Sequence, residues 1–454
     1  MRPIAARNNA LLTEGSLVRG IRNLAVPMLV GAILQNLQSL INLFWVGRLG
    51  PTAVAAVAMA GTILMILFPM LMGLSTGTLA LVARAVGAHR WDDAGEAASQ
   101  SIILSAILGV LTGLVGWHYS DHLFRLLGAE PDVVAAGEAY MRIAMLGSFT
   151  GFVLFICSAA LQGAGDTVRP MYIMAISNVL NIGLDPLFIF GIGPFPRMGV
   201  SGAALASVIS QTVAAIAAVH VLFSGKGHLQ IHFSQWKPNL SLSWRILRIG
   251  IPGSGQMLSR SLMSAVLMRI VAGCGTATVA AYGTGLRFHM LIMMPAFAFG
   301  GAAATMVGQN LGAGRPERSR LAAWIATGID AVIMAVCAVV LMAFARPLIR
   351  AFNRDPAVVD IGAQYLRTVS PFYVFAALGV VLGRALNGAG DSIAPMIITV
   401  LSLWGLQVPL AIVLARIWHP PTDGIWWAIN FAMILNGLLT AAWFEVGRWR
   451  HKRV

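Results

Sequence analysis

The chain has 454 residues, of which 58% are hydrophobic and only 11% are charged, and this balance excludes a water-soluble globular protein of ordinary composition. Its formal net charge of +14 would favour nucleic-acid binding in a soluble protein. Here, however, Lys and Arg lie mainly between apolar segments, which is the pattern of a membrane topology signal, so we expect a protein of the lipid bilayer that binds no nucleic acid.

Apolar windows of about 20 residues, the length needed to cross the hydrocarbon core of a bilayer, recur twelve times along the chain. This pattern predicts an all-α polytopic membrane protein with twelve transmembrane helices. The polar, basic segment before the first window shows no signal-peptide pattern, so we expect the first span to direct insertion. The predicted spans are residues 24–46, 54–78, 97–118, 136–161, 171–192, 199–223, 247–272, 279–306, 321–344, 362–384, 395–416 and 425–446.

The distribution of Lys and Arg predicts the orientation of these spans. Because the number of spans is even, both termini lie on the same side of the membrane. That side, with every second loop, collects 19 of the 31 Lys and Arg residues, whereas the opposite side collects nine. Since the larger share faces the cytoplasm, we expect both termini to be cytoplasmic, in the inner (plasma) membrane.

The two halves of the chain repeat each other at an offset of 225 residues. Pro27 matches Pro252 at this offset, and LQGAGDTVRPM from Leu161 matches LNGAGDSIAPM from Leu386. This register indicates a duplicated unit of six spans, and therefore two pseudo-symmetric six-helix bundles of the same orientation around a central cleft. The predicted organisation is a cytoplasmic N-terminal segment (1–23), an N-lobe (24–223), a cytoplasmic linker (224–246), a C-lobe (247–446) and a basic cytoplasmic tail (447–454).

The sequence contains none of the common motifs of enzymes, ATP-driven pumps or metal sites. No Walker A, HExxH or GxSxG motif is present, and the nine His residues are scattered. Cys157, Cys274 and Cys337 lie in apolar segments at no metal-like spacing. We therefore expect neither an enzyme nor a metal or cofactor site, and the duplicated halves favour alternating access over an open channel.

The segment NVLNIGLDPLFIFG, from Asn178 to Gly191, places a single carboxylate, Asp185, deep in an apolar span. An ionised side chain at that depth costs roughly 3 kcal/mol on insertion scales, so such a residue is functional by default. Asn178 and Asn181 lie seven and four residues earlier, and on a helix all three project from one face. Because a carboxyl group removed from water favours its protonated form, this polar stripe is a candidate site for ion coupling. The alternative is a structural acid paired with a neighbouring helix.

At these motifs the chain resembles the multidrug and toxic compound extrusion (MATE) family. The resemblance covers nearly the whole chain and is carried by GQNLGAGR (Gly308 to Arg315), AAYGTGLR (Ala280 to Arg287), the paired GAGD turns and NIGLDPLFIFG. It implies twelve helices in two bundles that alternate between inward-open and outward-open states, and export of amphipathic cations against protons or sodium. It also implies that Asn181 and Asp185 belong to a polar cluster of the N-lobe, together with Gln38 and Asn42.

Three departures from the family pattern bear on the coupling ion. Family members usually carry an Asp late in the first helix, and the matching residue here is Asn42, which cannot titrate. Many members carry a Glu eight residues after the proline of the seventh helix, where this chain has Arg260. The tenth helix, Tyr365 to Arg384, contains no acid in its middle. These losses argue against a sodium site built from several carboxylates and favour H⁺ over Na⁺.

Several further side chains are candidates for the substrate site, each with a structural alternative. Met290 and Met294 could form an adaptable apolar wall, although ordinary packing also explains them. Gln38 and Asn42 could equally hold helices together. Arg260 lies near mid-depth, where pairing with Asp330 is favoured because buried charges are normally compensated. The candidate substrate-binding residues are Gln38, Arg260, Met290 and Met294.

The sequence therefore predicts a secondary active multidrug exporter that antiports amphipathic, cationic organic compounds against H⁺. We expect it to work as a monomer and without a cofactor. The candidate ion-coupling residues are Asp185, Asn181, Asn178 and Asn42. In this hypothesis ionised Asp185, with Asn178 and Asn181, favours binding of substrate or cation from the cytoplasm, and protonation from outside drives release. Unpaired bases such as Arg260 would instead suit an anionic cargo, so a lipid-linked oligosaccharide flippase or an organic-anion exporter of the same superfamily is the alternative.

Overall fold

The computed structural model describes residues 12–225 and 229–452, which form helices and connecting turns with no strand among them. The first half contains α1 (Leu17–Gly47), α2 (Pro51–Met65), α3 (Phe68–Gly87), α4 (Trp91–Leu126), α5 (Pro131–Gly163), α6 (Val168–Phe190), α7 (Val200–Phe223) and a 3₁₀ turn (Phe233–Trp236). The second half contains α8 (Leu240–Ala272), α9 (Thr276–Gly312), α10 (Pro316–Ala343), α11 (Ala345–Arg350), α12 (Pro356–Val369), α13 (Tyr373–Ala377), α14 (Gly383–Gly388), α15 (Ile393–Val400), α16 (Val408–Ile417), α17 (Pro421–Val446) and a 3₁₀ turn (Arg448–His451).

Eleven helical segments of the described chain are long and apolar enough to cross a membrane, which confirms a multi-pass, all-α fold. Another helix, α8, has 33 residues but is less apolar, since it carries four arginines, Arg260 among them. The consecutive helices α12 to α14 together form one such segment, Pro356–Gly388. The helices α15 and α16 together form another, Ile393–Ile417.

Prolines interrupt three of the predicted spans. The span expected at residues 54–78 is wrong as a single helix, because α2 ends at Met65 and α3 begins at Phe68. Pro69 has no N–H group with which to bond the Met65 carbonyl one turn earlier, and the α-helix is interrupted at this point. In the second half, Pro371 lies in a 3₁₀ turn (Ser370–Phe372) after α12, and Pro409 follows a π-helical segment (Leu401–Gln407). A second π-helical segment, Leu378–Leu382, lies between α13 and α14.

The chain divides into two compact units. Among the described residues, the first unit comprises 26–251, and the second comprises 12–25 together with 252–452. Each division falls beside a proline inside a helix, Pro27 in α1 and Pro252 in α8. These are the two prolines that match in the sequence repeat.

Small residues allow helices within each unit to approach to backbone contact. A Cβ atom added to Gly202 of α7 would lie 2.5 Å from the carbonyl oxygen of Phe188 in α6. In the second unit, a Cβ atom added to Gly388 would lie 2.2 Å from the carbonyl oxygen of Ala304. Such contacts are typical of helix packing in lipid, and the α6–α7 contact holds the polar residues of these two helices within hydrogen-bonding distance.

Apolar residues close one end of the region where α1, α6 and α7 meet. Val46 of α1, Ile189 of α6 and Val200 of α7 are buried together in one cluster. Ile189 lies one helical turn after Asp185, so this cluster separates the Asp185 carboxyl group from that end of the unit.

Candidate functional site

The candidate site of the first unit is centred on Asp185, whose side chain is 0% exposed. Asn181, one turn earlier on α6, donates a hydrogen bond of 3.2 Å from its Nδ2 to Asp185 Oδ1. Asp185 Oδ2 is buried and has no hydrogen-bond partner within the described chain. The carboxyl group is therefore removed from water and only half satisfied.

Ser207 of α7 connects the Asp185 pair to the first helix. Its hydroxyl oxygen accepts a hydrogen bond of 3.4 Å from Asn181 Nδ2 and one of 3.1 Å from Asn42 Nδ2 of α1. A continuous chain of hydrogen bonds thus runs from Asn42 through Ser207 and Asn181 to Asp185. The structure brings together three of the four residues predicted for ion coupling and adds Ser207 to them.

Asn178 lies on the same buried side of α6 but has a different partner. Its Nδ2 donates a hydrogen bond of 2.7 Å to the carbonyl oxygen of Leu34 in α1. Asn178 therefore ties α6 to α1 two turns away from Asp185. Gln38, one turn before Asn42 on α1, is half-buried and forms no side-chain hydrogen bond with the described residues.

The cluster contains more acceptor atoms than donors. Besides Asp185 Oδ2, the amide oxygens of Asn42, Asn178 and Asn181 are buried and have no donor among the described residues. Buried polar atoms are normally hydrogen-bonded, so four unmatched acceptors are unusual, and those of Asn42, Asn181 and Asp185 belong to one chain of hydrogen bonds. Such a set fits a proton or a small cation better than it fits an anion.

Two residues of this cluster were missed by the sequence analysis. Ser207 lies in a helix rich in small apolar residues, where one hydroxyl is a weak signal. Tyr140 of α5 interacts electrostatically with Asp185 and packs beside the cluster of Val46 and Ile189. The signals available for Tyr140 were a polar ring inside an apolar span and a match to Tyr365 at the 225-residue offset.

In the second unit, the predicted pairing of Arg260 with Asp330 is wrong. Asp330 is 0% exposed and neither of its carboxylate oxygens has a hydrogen-bond partner in the described residues. Asp330 lies on the buried face of α10 between Ala326 and Met334, whereas Arg260 is half-buried on α8. Two residues predicted to lie at the same depth in the membrane face each other only if their helices are rotated suitably about their axes, and these two helices are not.

Arg260 instead lies near a polar and aromatic group on α9 and α13. It interacts electrostatically with His289, and His289 Nδ1 lies 3.3 Å from the hydroxyl oxygen of Tyr373. Tyr282 and Trp426 stack beside this group with ring centroids 5.7 Å apart. Tyr373 was not identified from the sequence as part of this group, because its position depends on the turn at Pro371.

The two methionines predicted for substrate binding lie on one side of α9. Met290 is 61% exposed and Met294, one turn later, is partly buried. Met293, between them, is buried in the core of the second unit. The arrangement is compatible with an exposed apolar strip and with ordinary packing, so the substrate role of Met290 and Met294 stays a prediction.

Comparisons with known proteins identify what the chain is similar to. A family model described as MatE matches residues 27–187 and 252–413. The probable multidrug resistance protein NorM of Thermotoga maritima is 29% identical over 436 residues, covering 95% of this chain and 93% of that protein. A protein of Shewanella oneidensis named FAD transporter is 28% identical over 403 residues, covering 88% of each chain.

A solved structure extends this similarity to three dimensions. It is an outward-facing conformation of a multidrug resistance MATE family transporter of the MOP superfamily, with a TM-score of 0.89 and 28% sequence identity. The match covers 96% of this chain and 97% of that one. It confirms the prediction of twelve transmembrane helices in two six-helix bundles.

Proposed function

Since the chain belongs to the MatE family of membrane transporters and is not an enzyme, we propose that it is a secondary active multidrug exporter that exchanges organic compounds for H⁺. The substrates are amphipathic and cationic, and the transporter alternates between states open to opposite sides of the membrane. It works as a monomer in the inner (plasma) membrane. Both termini are cytoplasmic, an orientation that the bias of Lys and Arg favours.

The observation that carries this proposal is the buried, half-satisfied carboxyl group of Asp185 in a cluster of unmatched acceptors. When ionised, Asp185 attracts a cation, and when protonated it does not. Proton binding and cation binding are therefore mutually exclusive at this residue, which is the requirement for exchange. Each unit of pH difference then biases the equilibrium by about 1.4 kcal/mol, and each charge crossing 100 mV adds about 2.3 kcal/mol.

The composition of the cluster supports H⁺ over Na⁺ as the coupling ion. Among the described residues that form it, Asp185 is the one carboxylate, and Asn42 occupies the place where the family usually has a second. One titratable oxygen pair suffices to hold a proton. A cation held by the same cluster would depend mainly on neutral amide oxygens for its remaining ligands.

The proposal is tested with purified protein in liposomes under an imposed pH gradient, using uptake of a cationic dye as the readout. Asp185→Asn keeps the shape of the side chain and removes the charge, and we expect it to abolish uptake driven by the pH gradient. The control is Asp132→Asn, which makes the same chemical change at an exposed position at the start of α5.

Two outcomes would contradict the proposal. Uptake by Asp185→Asn at the wild-type rate would show that this carboxyl group does not couple the ion to the substrate. Uptake driven by a sodium gradient with no pH gradient would show that the ion is Na⁺, while leaving the exchange mechanism in place.

A second candidate function, export of an organic anion or flipping of a lipid-linked oligosaccharide, is favoured by Arg260. This half-buried arginine forms no ion pair with the described residues and lies near His289. Unpaired bases inside a membrane protein attract anionic groups. A relative named FAD transporter shows similarity over most of its length.

The same liposomes distinguish the two functions. Transport of FAD or a lipid-linked sugar that is lost in Arg260→Gln, with cationic dyes ignored, would support the second candidate. Transport of cationic dyes that is unaffected by Arg260→Gln would support the first.

A further inference from the structure

The second unit contains a buried acid that the proposed exchange at Asp185 does not use. Asp330 is the fifteenth of the 28 residues of α10, about 21 Å along the helix from its first residue. Its side chain is 0% exposed, and neither carboxylate oxygen has a hydrogen-bond partner in the parts of the chain that the structure describes. Within residues 12–225 and 229–452, no hydrogen-bond donor accounts for this acid as a structural residue.

The surroundings of Asp330 are apolar on both sides along the helix. Ala326, one turn earlier, belongs to the core that contains Val381 and Leu382. Met334, one turn later, belongs to the other core of this unit, which contains Tyr373. Asp330 thus interrupts an otherwise apolar buried face at the junction of two cores.

Titratable groups on the neighbouring helices do not compensate Asp330. The helices and turns packed against α10 carry Tyr282, Arg287, His289, Arg346, Arg350, Asp360, Tyr365, Arg367 and Tyr373. None of them forms a hydrogen bond or an ion pair with Asp330. Cys337, two turns further along α10, is the group in electrostatic contact with it.

The surroundings of Asp330 disfavour its charged form. An ionised carboxylate without donors or a counter-charge is strongly unfavourable in a low-dielectric interior, whereas the neutral acid is much less so. This conformation therefore suits the neutral acid better than the carboxylate.

An irregular segment packs against α10, the helix that carries Asp330. α10 packs against the 3₁₀ turn Ser370–Phe372, α13 and the π-helical segment Leu378–Leu382. Backbone segments of this kind often mark functional hinges, because their hydrogen bonds can be exchanged for α-helical ones. We expect water to reach the carboxyl group through a rearrangement of this segment.

The repeat shows that this acid is a feature of the second half alone. The position 225 residues before Asp330 is Ser105 in α4. Its hydroxyl donates a hydrogen bond of 2.8 Å to the carbonyl oxygen of Ile102, so the serine is satisfied within its own helix. The first half therefore fills the equivalent position with a residue that needs no partner.

We propose that Asp330 is a second proton-binding site, so that each transport cycle moves one proton on Asp330 in addition to one on Asp185. This inference rests on the proposed H⁺-coupled export. An O–H bond forms when the carboxylate takes up a proton from the outer side and breaks when it releases the proton to the cytoplasm. No electron is transferred.

The test measures how many protons exchange for one substrate molecule. In liposomes with the membrane potential clamped at zero and a hundredfold substrate gradient, net flux vanishes at a pH difference of about one unit for two protons and about two units for one proton. We expect the wild type to reverse near one unit and Asp330→Asn near two. Asp360→Asn, a matched change at an exposed residue of α12, should reverse like the wild type.

The reversal point distinguishes failure of this inference from failure of the proposed function. A wild type whose flux never responds to pH would refute H⁺ coupling itself. A wild type that reverses near two units, or an Asp330→Asn variant that reverses near one, would overturn the second site while leaving H⁺ coupling intact. Because a reversal point is an equilibrium quantity, a variant that is merely slow or less stable does not shift it.

A second measurement covers the case in which Asp330→Asn does not fold. Asp330→Ser, which copies the residue of the first half, is tested in the same way. On the wild type, dicyclohexylcarbodiimide, which modifies protonated carboxyl groups in apolar surroundings, should label Asp330, and the labelling should fall as pH rises. Absence of label at Asp330 while Asp185 is modified would overturn the inference.

Discussion

Replacing Asn181 with leucine removes the one hydrogen bond that the Asp185 carboxyl group receives from the described residues. The bond joins Asn181 Nδ2 to Asp185 Oδ1 at 3.2 Å, and the N–H donor stabilises the ionised form more than the protonated form. A hydrogen bond to a charged group contributes about 1.5–3 kcal/mol. Because one pH unit corresponds to about 1.4 kcal/mol, the loss equals about one to two pH units.

The sign of this effect follows from which form loses its partner. Without the Asn181 donor, ionised Asp185 is less stable, so a higher pH is needed to remove its proton. The pH at which substrate binding is half-maximal should therefore rise by about one to two units. The assay is equilibrium binding of a radiolabelled cationic substrate to purified protein across a pH series.

Asn178→Leu provides the matched control for Asn181→Leu. Asn178 is also a buried asparagine of α6, but its amide group bonds the Leu34 carbonyl and not Asp185. This variant should lower thermal stability without moving the pH midpoint. A midpoint that stays in place in Asn181→Leu, or that moves equally in both variants, would refute the assignment of Asp185 as the titrating group.

Three further predictions concern stability, each measured by thermal unfolding in detergent. Ser207→Ala removes the acceptor shared by two asparagine side chains and should lower the free energy of unfolding by about 1–3 kcal/mol, whereas Ser207→Thr keeps the hydroxyl group and should restore most of it. Gly202→Ala places a Cβ atom against a backbone carbonyl and should reduce both stability and transport, whereas Gly183→Ala, which meets nothing within 4 Å, should be neutral or stabilising. Arg320→Gln breaks a partly exposed ion pair with Glu445 and should change stability by less than about 1 kcal/mol. A loss of stability well above about 1 kcal/mol in Arg320→Gln would show that this pair stabilises the fold more than surface ion pairs normally do.

The fold was predictable because its main signal is repeated many times. Apolar windows of bilayer length and the 225-residue register indicated a duplicated set of spans; the structural match confirms the fold, and the family model matches each half once. The positions at which helices break inside the spans were harder to predict from the sequence. Pro69 and Pro371 are visible in the sequence, but a membrane helix can continue through a proline, as at Pro295, or end beside it, and the neighbouring helices decide which occurs.

The candidate site was predictable along a helix but not between helices. Helical spacing placed Asn181 and Asp185 on one face, and the structure joins them by a hydrogen bond. The contribution of Ser207 depends on how closely α7 approaches α6 at Gly202, which no spacing reveals. Arg260 and Asp330 failed to pair for the same reason, because the rotation of each helix about its axis is set by packing.

The surplus of lone pairs around Asp185 has a consequence for which cations the site can tell apart. A protonated amine brings N–H groups that can bond the unmatched oxygens of Asn42 and Asn181 as well as the carboxylate. A quaternary ammonium ion of the same charge has no N–H group, so it neutralises the carboxylate but leaves the amide oxygens without hydrogen bonds. If the substrate binds at this cluster, its affinity should therefore depend on the number of N–H groups on its charged nitrogen as well as on its charge.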